Sequence, residues 1–395
     1  MKLILKLLAG MAVGLLLGLY APGPLLTLLL TFKGLFSQFI GFMIPLIIVF
    51  YIMSGIAALE TGSGRMLGWT VGLAYASTIL SGVLAFTAAS ALLPQWLGEA
   101  AAAPAAAAAG KLAPLFKLEI KPLFDVMTAL MLAFVFGLGI AATGAARLRE
   151  IAEQGKDIVE KVLARVLVPL LPAYIACEFA DMAAAGTAFA TLKTFGVVLL
   201  MAIALHWLWL AVLYGASGAL LGRNPLSLLR AMLPAYFTAL GTMSSAATIP
   251  VALRSAGNMK VSPPVVHFVM PLCATIHLCG STITLVSCAT AVMLMTHGLD
   301  VPGWDVMLPF ILLLGVTMVA APGAPGGGVM SALGILSSVL GFPEASLALM
   351  IALYLAQDSF GTACNVAGDG VVALWVDRVA GRTAEPAGEA AAQRG

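Results

Sequence analysis

The sequence predicts an all-α polytopic membrane protein with eight transmembrane helices and two re-entrant helical hairpins. The 395 residues are 61% hydrophobic and 10% charged, whereas soluble domains contain about 25% charged residues. Apolar segments long enough to cross the hydrocarbon as helices, which takes about 20 residues, recur as far as position 376. They leave no room for a separate soluble domain.

Eight of these segments are continuous enough to be simple spans. In chain order they cover residues 3–20, 35–58, 67–95, 123–144, 162–187, 194–221, 263–296 and 345–376. The first has the basic start and apolar centre of a secretory signal, but no clear cleavage site follows it, so we expect a retained helix. Residues 96–121 contain a run of alanines interrupted by proline, which predicts an extracellular loop, and residues 381–395 predict a disordered cytoplasmic tail.

The distribution of lysine and arginine predicts the orientation. If the N-terminus is cytoplasmic, all but five of the 20 such residues face inward. The five are Lys33, Lys111, Lys117, Lys121 and Lys193. This asymmetry follows the positive-inside rule, so we expect both termini to be cytoplasmic. We also expect a multi-pass protein of the cytoplasmic membrane of a prokaryote. The net charge of +2 gives no indication of a nucleic-acid partner.

Two further apolar segments, residues 226–257 and 305–342, are interrupted at their midpoints. The interruptions read SSAATIP at 244–250 and APGAPGGG at 321–328. Proline and glycine permit a sharp chain reversal, and non-helical backbone at membrane depth is tolerated only against protein or a water-filled cavity. The segments therefore predict re-entrant hairpins whose tips meet near the midplane. Kinked helices in an ordinary bundle are the alternative.

Each predicted hairpin precedes a long span that has its own polar interruption, CATIHLCGSTIT in one case and QDSFGTACNVAGDG in the other. The order hairpin, span, hairpin, span indicates inverted repeats. Interrupted segments at corresponding positions of such repeats are the best indication that a sequence gives of a transporter's binding site. All five cysteines lie in apolar segments, so we expect free thiols and no disulfide framework.

The last span carries four polar residues on one helical face. At about 100° per residue, Asp358, Thr362, Asn365 and Asp369 fall within roughly 60° of one another. A carboxylate at the bilayer centre costs at least about 2.5–3.5 kcal/mol, so two of them need a cation, a polar ligand or protons. Simpler readings are that Asp369 pairs with Arg378 or caps a helix break, that Asp358 lies near the interface, and that Asn365 bonds a neighbouring helix.

These motifs resemble those of the dicarboxylate/amino acid:cation symporter family, the glutamate-transporter-like proteins. The pattern D-x-x-R-T-x-x-N-V-x-G-D of that family's last span is matched by Asp358, Gly361, Thr362, Asn365, Val366, Gly368 and Asp369. The family's first hairpin tip, S-S-S-x-T-L-P, is matched by Ser244, Ser245, Ala246, Thr248, Ile249 and Pro250, and its second, V-P-G-A-G, by Ala324, Pro325, Gly326, Gly327 and Gly328. MIPLIIVFYIMSGIA at 43–57 resembles the second span, so the resemblance covers nearly the whole chain.

The resemblance implies a homotrimeric secondary transporter that works as an elevator. Residues 1–66 and 122–190 would form a fixed scaffold of spans 1, 2, 4 and 5, and residues 67–95 and 191–376 would form the moving transport domain. The substrate-binding residues would be Ser244, Ser245, Ser281, Ala324, Gly328, Asp358, Gly361, Thr362 and Asn365. A sodium ion or proton, which is cargo and not a resident cofactor, would be bound by Asn365, Asp369, Cys273, Thr275, His277, Thr78 and Ser81. In this scheme Asp358 holds a substrate ammonium, and Asn365 with the tip amides holds its carboxylate.

Two departures from the family pattern bear on the substrate and the ion. Gly361 stands where acidic amino acid transporters carry a carboxylate-binding arginine, and Met243 stands at an alternative arginine position. Glycine also leaves room for a larger or neutral side chain, so we expect a neutral amino acid, with a dicarboxylate as the alternative. The family's N-M-D-G is H-L-C-G at 277–280. This change removes two residues that serve sodium, and it predicts fewer sodium ions per cycle or a proton carried by His277.

Other function classes are less consistent with the sequence. Loss of cation ligands could leave an uncoupled channel or facilitator, and a receptor would need a signalling domain. Cys273, His277, Cys279 and Cys364 could form a zinc or copper site, but on an unbroken helix Cys279 points away from His277, so we expect no metal site. No base, nucleophile and metal converge, so we expect neither catalytic residues nor an enzyme. The partners we expect are a small-molecule substrate, a co-transported cation and membrane lipid.

Overall fold

The computed structural model describes residues 2–57, 64–97, 113–123, 125–296, 298–319, 321 and 325–384, and among these there are helices and turns but no strand. The first six helices are α1 Lys2–Tyr20, α2 Gly23–Ala57, α3 Gly64–Leu97, α4 Val126–Thr143, α5 Ala146–Ala184 and α6 Ala188–Leu221. The others are α7 Pro225–Thr242, α8 Ser245–Asn258, α9 Pro263–Ile276, α10 Cys279–Met295, α11 Trp304–Met318, α12 Gly327–Leu340, α13 Glu344–Leu355 and α14 Asp358–Ala384. Most of the predicted loop, residues 98–112, and the tail from residue 385 lie outside the described residues.

Five of the described stretches are long and apolar enough to cross a membrane: α2, α3, α5, α6 and Pro263–Met295, which joins α9 and α10. α13 and α14 pass the same test together as a sixth stretch that is bent by 61°. The predicted first and fourth spans contain shorter apolar helices, Leu5–Tyr20 and Thr128–Thr143, each about 24 Å long. The helical membrane architecture is confirmed, while the number of eight crossings stays a prediction.

α1 packs along α5 through a row of glycines. A Cβ added to Gly14 would meet the Ala176 carbonyl oxygen and lie 2.9 Å from Ala176 Cα, and a Cβ added to Gly18 would lie 2.5 Å from Ala183 Cβ. Because glycine has no side chain, the two backbones come close together. Small residues at such contacts let membrane helices gain van der Waals energy.

α2 begins at Gly23, so the predicted start of this span at residue 35 is wrong. The sequence reading placed Lys33 outside the membrane. In the structure its Nζ lies 3.0 Å from Glu178 Oε2 and 2.7 Å from Asp181 Oδ2, both on α5. Because the lysine charge is paired across the two helices, the apolar helix continues through it.

α5 also begins earlier than predicted, at Ala146 instead of residue 162. Its first part, ARLREIAEQGKDIVEKV, is charged on one side and buries Ala152 and Val159 on the other. Lys156 Nζ lies 5.8 Å from the centre of the Tyr51 ring on α2. Packing against α2 therefore extends the helix into a segment that hydropathy alone excludes from the span.

Both predicted hairpins are present as pairs of short helices that pack on each other. The first hairpin, α7 and α8, reverses at Met243 and Ser244, and Met243 has a left-handed φ of +56°, which is uncommon for a residue other than glycine. The second hairpin, α11 and α12, ends its tip at Gly326, whose φ is +79°. Residues 322–324 of this tip lie outside the described residues.

Two long helices are broken at polar residues. Between α9 and α10 the backbone is extended at His277, with φ −110° and ψ 93°. The break between α13 and α14 corrects the prediction of one continuous span over 345–376. Here the Gln357 backbone N donates to the Tyr354 carbonyl at 2.9 Å, and the Gln357 side-chain Nε2 donates to the Leu353 carbonyl at 3.2 Å. The side chain thus occupies a carbonyl that an unbroken helix would bond through its backbone.

α14 is surrounded by other helices. Residues 361–374 are all buried, and α14 packs against α3, α6, α7, α8, α9 and α10. The Tyr214 hydroxyl of α6 donates to the Ala367 carbonyl at 2.7 Å, and Trp375 Nε1 donates to Ser217 Oγ at 2.8 Å. The polar stripe of this helix therefore lies inside protein and not against lipid.

Candidate functional site

The four polar residues of the last span are buried together in α14. Asp358 is 4% exposed, Thr362 5%, Asn365 2% and Asp369 1%. They lie where the second hairpin tip, the α13–α14 break and the start of α10 meet. Burial of two carboxylates makes their partners the first question of the site.

Asp358 is bonded to the tip of the second hairpin. The Gly326 backbone N–H donates to Asp358 Oδ2 at 2.7 Å, and the side chains of Tyr354 and Thr362 also interact with this carboxylate. These partners are all neutral. Within the described part of the chain, neither lysine nor arginine forms an ion pair with Asp358.

The first turn of α12 packs against α13 and α10. A Cβ added to Gly328 would meet the Tyr354 hydroxyl and lie 3.6 Å from Ser281 Cβ. The structure therefore brings together the predicted substrate-binding residues Gly328, Ser281 and Asp358, with Tyr354 between them. Ala324, which the sequence also predicted at this tip, lies outside the described residues.

Asn365 caps α10 from across the site. Its Oδ1 accepts from Gly280 N at 2.7 Å and from Ser281 N at 3.2 Å, and its Nδ2 donates to Ser281 Oγ at 2.9 Å. The first N–H groups of a helix have no partner within the helix. Asn365 supplies that partner at a break in the middle of the protein, so its side chain is used for positioning α10.

Asp369 is paired with His277. The Nδ1–H of His277 donates to Asp369 Oδ1 at 2.8 Å, and His277 Nε2 lies 2.9 Å from Ser77 Oγ of α3. The side chains of His277 and Asp369 are 0% and 2% exposed. The extended backbone at His277 directs the ring between α3 and α14, and the pairing with Asp369 replaces the proposed pairing with Arg378.

Thiols surround this pair without forming a metal site. A Cβ added to Gly368 would lie 2.7 Å from His277 Cε1 and 3.3 Å from Cys279 Sγ. All five cysteines are buried and free, as the sequence predicted. No group of three or more His, Cys, Asp or Glu side chains that could hold a metal ion occurs in the described ranges.

The other predicted cation ligands are distributed unevenly. Ser81 Oγ lies 2.9 Å from the Cys279 carbonyl, and Thr78 Oγ1 is buried without a hydrogen-bond partner. Cys273 is buried near Asp369 and Cys279. Thr275 is not brought into the cluster, since its side chain is exposed and donates to the Leu272 carbonyl of its own helix at 2.9 Å.

The first hairpin approaches α14 by packing. Ser244 caps α8, because its side chain accepts from Ala247 N at 3.2 Å. Ser245 is 6% exposed, and α7 and α8 both contact α14. The free N–H groups at the start of α8 are of the kind that binds anions.

Gly361 does not provide the room that the sequence reading expected. A Cβ added there would lie 3.2 Å from Thr284 Oγ1 and 3.3 Å from the Gly280 carbonyl. A Cβ added to Gly280 would meet the Gly361 carbonyl oxygen and lie 2.6 Å from Cys364 Cβ. The two glycines permit close packing of α10 on α14, so a side chain at position 361 would start against α10.

Sequence reasoning missed several residues of this site. Ser77 adjoins the predicted Thr78, and only the structure shows that it is the one facing His277. Tyr354 lies four residues before Asp358, on the other side of the α13–α14 break. His206 was not among the predicted site residues, yet its Nε2 lies 2.9 Å from the Gly280 carbonyl beside the Asn365 cap.

Comparison with known proteins identifies the family. A protein-family model described as the sodium:dicarboxylate symporter family matches residues 3–379. Relatives with significant similarity include the neutral amino acid transporter B(0) of Homo sapiens, 28% identical over 218 residues, and excitatory amino acid transporter 1 of Ambystoma tigrinum, 31% identical over 211 residues. A C4-dicarboxylate transport protein of Anaeromyxobacter sp. (strain K) is 26% identical over 264 residues.

The matched regions cover 54%, 52% and 64% of this chain, respectively. They cover 39%, 37% and 57% of those relatives. The chain thus spans less than two thirds of each relative's length.

Proposed function

Because the chain belongs to the sodium:dicarboxylate symporter family, we propose that it is a secondary active symporter of a small, neutral amino acid, driven by a cation gradient. It is a transporter and not an enzyme. The observation that carries the choice of substrate is Asp358, a buried carboxylate whose described partners are neutral. It lies at the junction of a hairpin tip and a broken helix.

The ammonium group of an amino acid would supply the positively charged partner that Asp358 lacks. A carboxylate in the bilayer centre costs about 2.5–3.5 kcal/mol on insertion scales, and an ammonium group is a direct counter-charge. Charge-assisted hydrogen bonds contribute about 1.5–3 kcal/mol. The Gly326 N–H and the substrate ammonium would share the two oxygens of Asp358.

The substrate carboxylate would be bound by backbone N–H groups. The starts of α10 and α12 lie at this region, the first hairpin packs on α14, and helix N-termini favour anions. Ser245 is the predicted contact at the first tip, and Ser281, Thr362 and Asn365 complete the predicted pocket. Since Asn365 already bonds two amides of α10, its part would be to hold those amides in place.

Among the described residues, no lysine or arginine pairs with Asp358, which favours a neutral substrate. Arg230 and Arg254 of the first hairpin are exposed, and positions 243 and 361 are Met243 and Gly361. A second substrate carboxylate would therefore be desolvated without a cation, which is costly. Because a side chain at position 361 would start against α10, it is this missing positive charge, and not free space at Gly361, that favours a neutral substrate.

Helix packing supports an elevator arrangement. α1 packs on α5, and α2, α4 and α5 contact one another. α3 packs with α6, α9, α10, α11 and α14. Contacts between the two groups join α12 to α2 and α4, α13 to α5, and α5 to α6. We propose the first group as the scaffold and the second as the transport domain. A homotrimer in a prokaryotic inner membrane with cytoplasmic termini fits the family and the charge distribution of the sequence.

Uptake into proteoliposomes tests the proposal. Radiolabelled neutral amino acids, acidic amino acids and C4-dicarboxylates would be offered with sodium and proton gradients imposed separately. We expect accumulation of a neutral amino acid above equilibrium only with a gradient. Uptake that only equilibrates the amino acid and depends on neither gradient would identify an uncoupled facilitator instead.

Asp358→Asn tests the ammonium contact. The asparagine oxygen still accepts from Gly326 N–H, so the hairpin contact is kept while the charge is lost. Loss of about 1.5–3 kcal/mol predicts a roughly 10- to 150-fold weaker apparent affinity. Asp377→Asn is the matched control, because Asp377 lies on the same helix and bonds Ser262 away from the site. Unchanged uptake by Asp358→Asn would refute the ammonium role.

A C4-dicarboxylate is the second candidate substrate. The relative from Anaeromyxobacter, whose name describes such transport, matches 64% of this chain. Competition by C4-dicarboxylates as strong as that by neutral amino acids would favour this candidate and contradict the charge argument.

A further inference from the structure

The two polar groups predicted to bind a cation on α14 are already bonded within the protein. Asp369 Oδ1 is 2.8 Å from His277 Nδ1, and the opposite ring nitrogen lies 2.9 Å from Ser77 Oγ. Asn365 Oδ1 accepts from two backbone N–H groups and its Nδ2 donates to Ser281 Oγ. A cation ligand must offer a free lone pair, and these contacts occupy the oxygens that face α10.

The chemistry around Asp369 does not suit sodium. Hard cations prefer several oxygen ligands such as carboxylates, carbonyls and waters. Here the neighbours of Asp369 are the His277 imidazole and the buried thiols of Cys279 and Cys273. The imidazole also fills the space: a Cβ on Gly368 would already be 2.7 Å from its Cε1.

We propose that His277 is the residue that excludes sodium from the Asp369 site. The His277 imidazole occupies the position at Asp369 where a free cation would otherwise bind. Ser77 Oγ contacts the opposite ring nitrogen. The inference rests on the proposed function in that it concerns the coupling ion. It makes His277 a specificity-determining residue for that ion, and it implies that Asp369 is not a ligand of transported sodium.

Ion binding to the purified protein tests this directly and requires no transport. The melting temperature in detergent would be titrated with NaCl against N-methyl-D-glucamine chloride at constant ionic strength, for the native chain, Asp369→Asn and the matched control Asp377→Asn. We expect Asp369→Asn to leave any sodium-dependent shift at the same midpoint, within about twofold. A midpoint raised about tenfold or more, or a shift abolished in Asp369→Asn alone, would overturn the proposal.

The reverse experiment introduces the missing oxygen. His277→Asn replaces the imidazole by an amide and frees Asp369, so it should gain sodium-dependent stabilisation at a midpoint at least about tenfold below that of the native chain. The gain should vanish in His277→Asn/Asp369→Asn. Absence of any gain would contradict exclusion by the imidazole, and His277→Gln is the substitute if His277→Asn does not fold.

Binding of radioactive sodium to the same variants gives a second readout. These outcomes are separable from those of the proposed function. If uptake fails for every amino acid while Asp369→Asn leaves sodium binding unchanged, the function falls and the inference stands. If uptake is observed but Asp369→Asn loses sodium binding, the inference falls alone.

Discussion

Removal of the Asn365 side chain should destabilise the protein through α10. Asn365→Ala deletes bonds of 2.7 Å to Gly280 N, 3.2 Å to Ser281 N and 2.9 Å to Ser281 Oγ. At a net contribution of about 0.5–1.5 kcal/mol each, the loss is about 2–4 kcal/mol. Asn365 is 2% exposed, so water cannot readily replace its side-chain oxygen.

The matching control is another asparagine cap. Asn224 Oδ1 accepts from Leu226 N at 2.9 Å and Ser227 N at 3.4 Å at the start of α7, but this end is exposed. Asn224→Ala should therefore cost about 0.5–1 kcal/mol. Both variants remove an asparagine that caps a helix N-terminus, but Asn365 is buried and reaches α10 from α14, whereas Asn224 is exposed and caps its own helix.

Thermal unfolding in detergent, followed by tryptophan fluorescence, measures the difference. With an unfolding entropy of about 2 cal/mol/K per residue, the whole chain gives about 0.8 kcal/mol/K, so Asn365→Ala should lower Tm by about 2–5 °C. Asn224→Ala should lower Tm by about 1 °C. A Tm for Asn365→Ala equal to or above that of Asn224→Ala would refute the capping role.

Three other substitutions test packing and charge. Gly14→Leu should separate α1 from α5 and cost at least about 1–3 kcal/mol by overpacking, whereas Gly34→Leu, with open space around its Cβ, should change Tm little; equal losses would contradict the close contact. Gly368→Ala should destabilise the protein by about 1–3 kcal/mol, because the added methyl group overlaps the His277 imidazole. In the double variant Gly368→Ala/His277→Ala, the loss of Tm should be smaller than the sum of the two single losses; a loss equal to that sum would refute the contact. Lys33→Met should cost about 3 kcal/mol because it leaves the buried Glu178 without its cation, and a Tm loss no larger than that from an exposed lysine would show that the ion pair is not structural.

Local signals predicted the hairpins and the polar stripe. Glycine, proline and serine within apolar runs determine where the chain can reverse, and both reversals lie at the predicted tips. The spacing of Asp358, Thr362, Asn365 and Asp369 places them on one helix whatever its neighbours are. These features depend on residues close in sequence, which is why they could be predicted.

Features that depend on distant residues could not be predicted. Lys33 was taken as the boundary of a span because its acidic partner, Asp181, is 148 residues away. The α13–α14 break contains neither proline nor glycine and is supported by the Gln357 side chain. Free space was predicted at Gly361 because the sequence does not show that Gly280 packs against it when α10 and α14 come together.

The two buried carboxylates of α14 differ in how their charge is compensated, and this difference assigns them different parts. Asp369 has His277 Nδ1 at 2.8 Å, a partner that belongs to the protein itself. Asp358 has neutral donors, among them the Gly326 N–H of the second hairpin tip. Since an uncompensated carboxylate is costly in the membrane, a solute that brings an ammonium group relieves that cost at Asp358 and not at Asp369. Under the proposed function, Asp358 is therefore the carboxylate that we expect to contact the substrate ammonium, and its bond to Gly326 would connect that contact to the second hairpin tip.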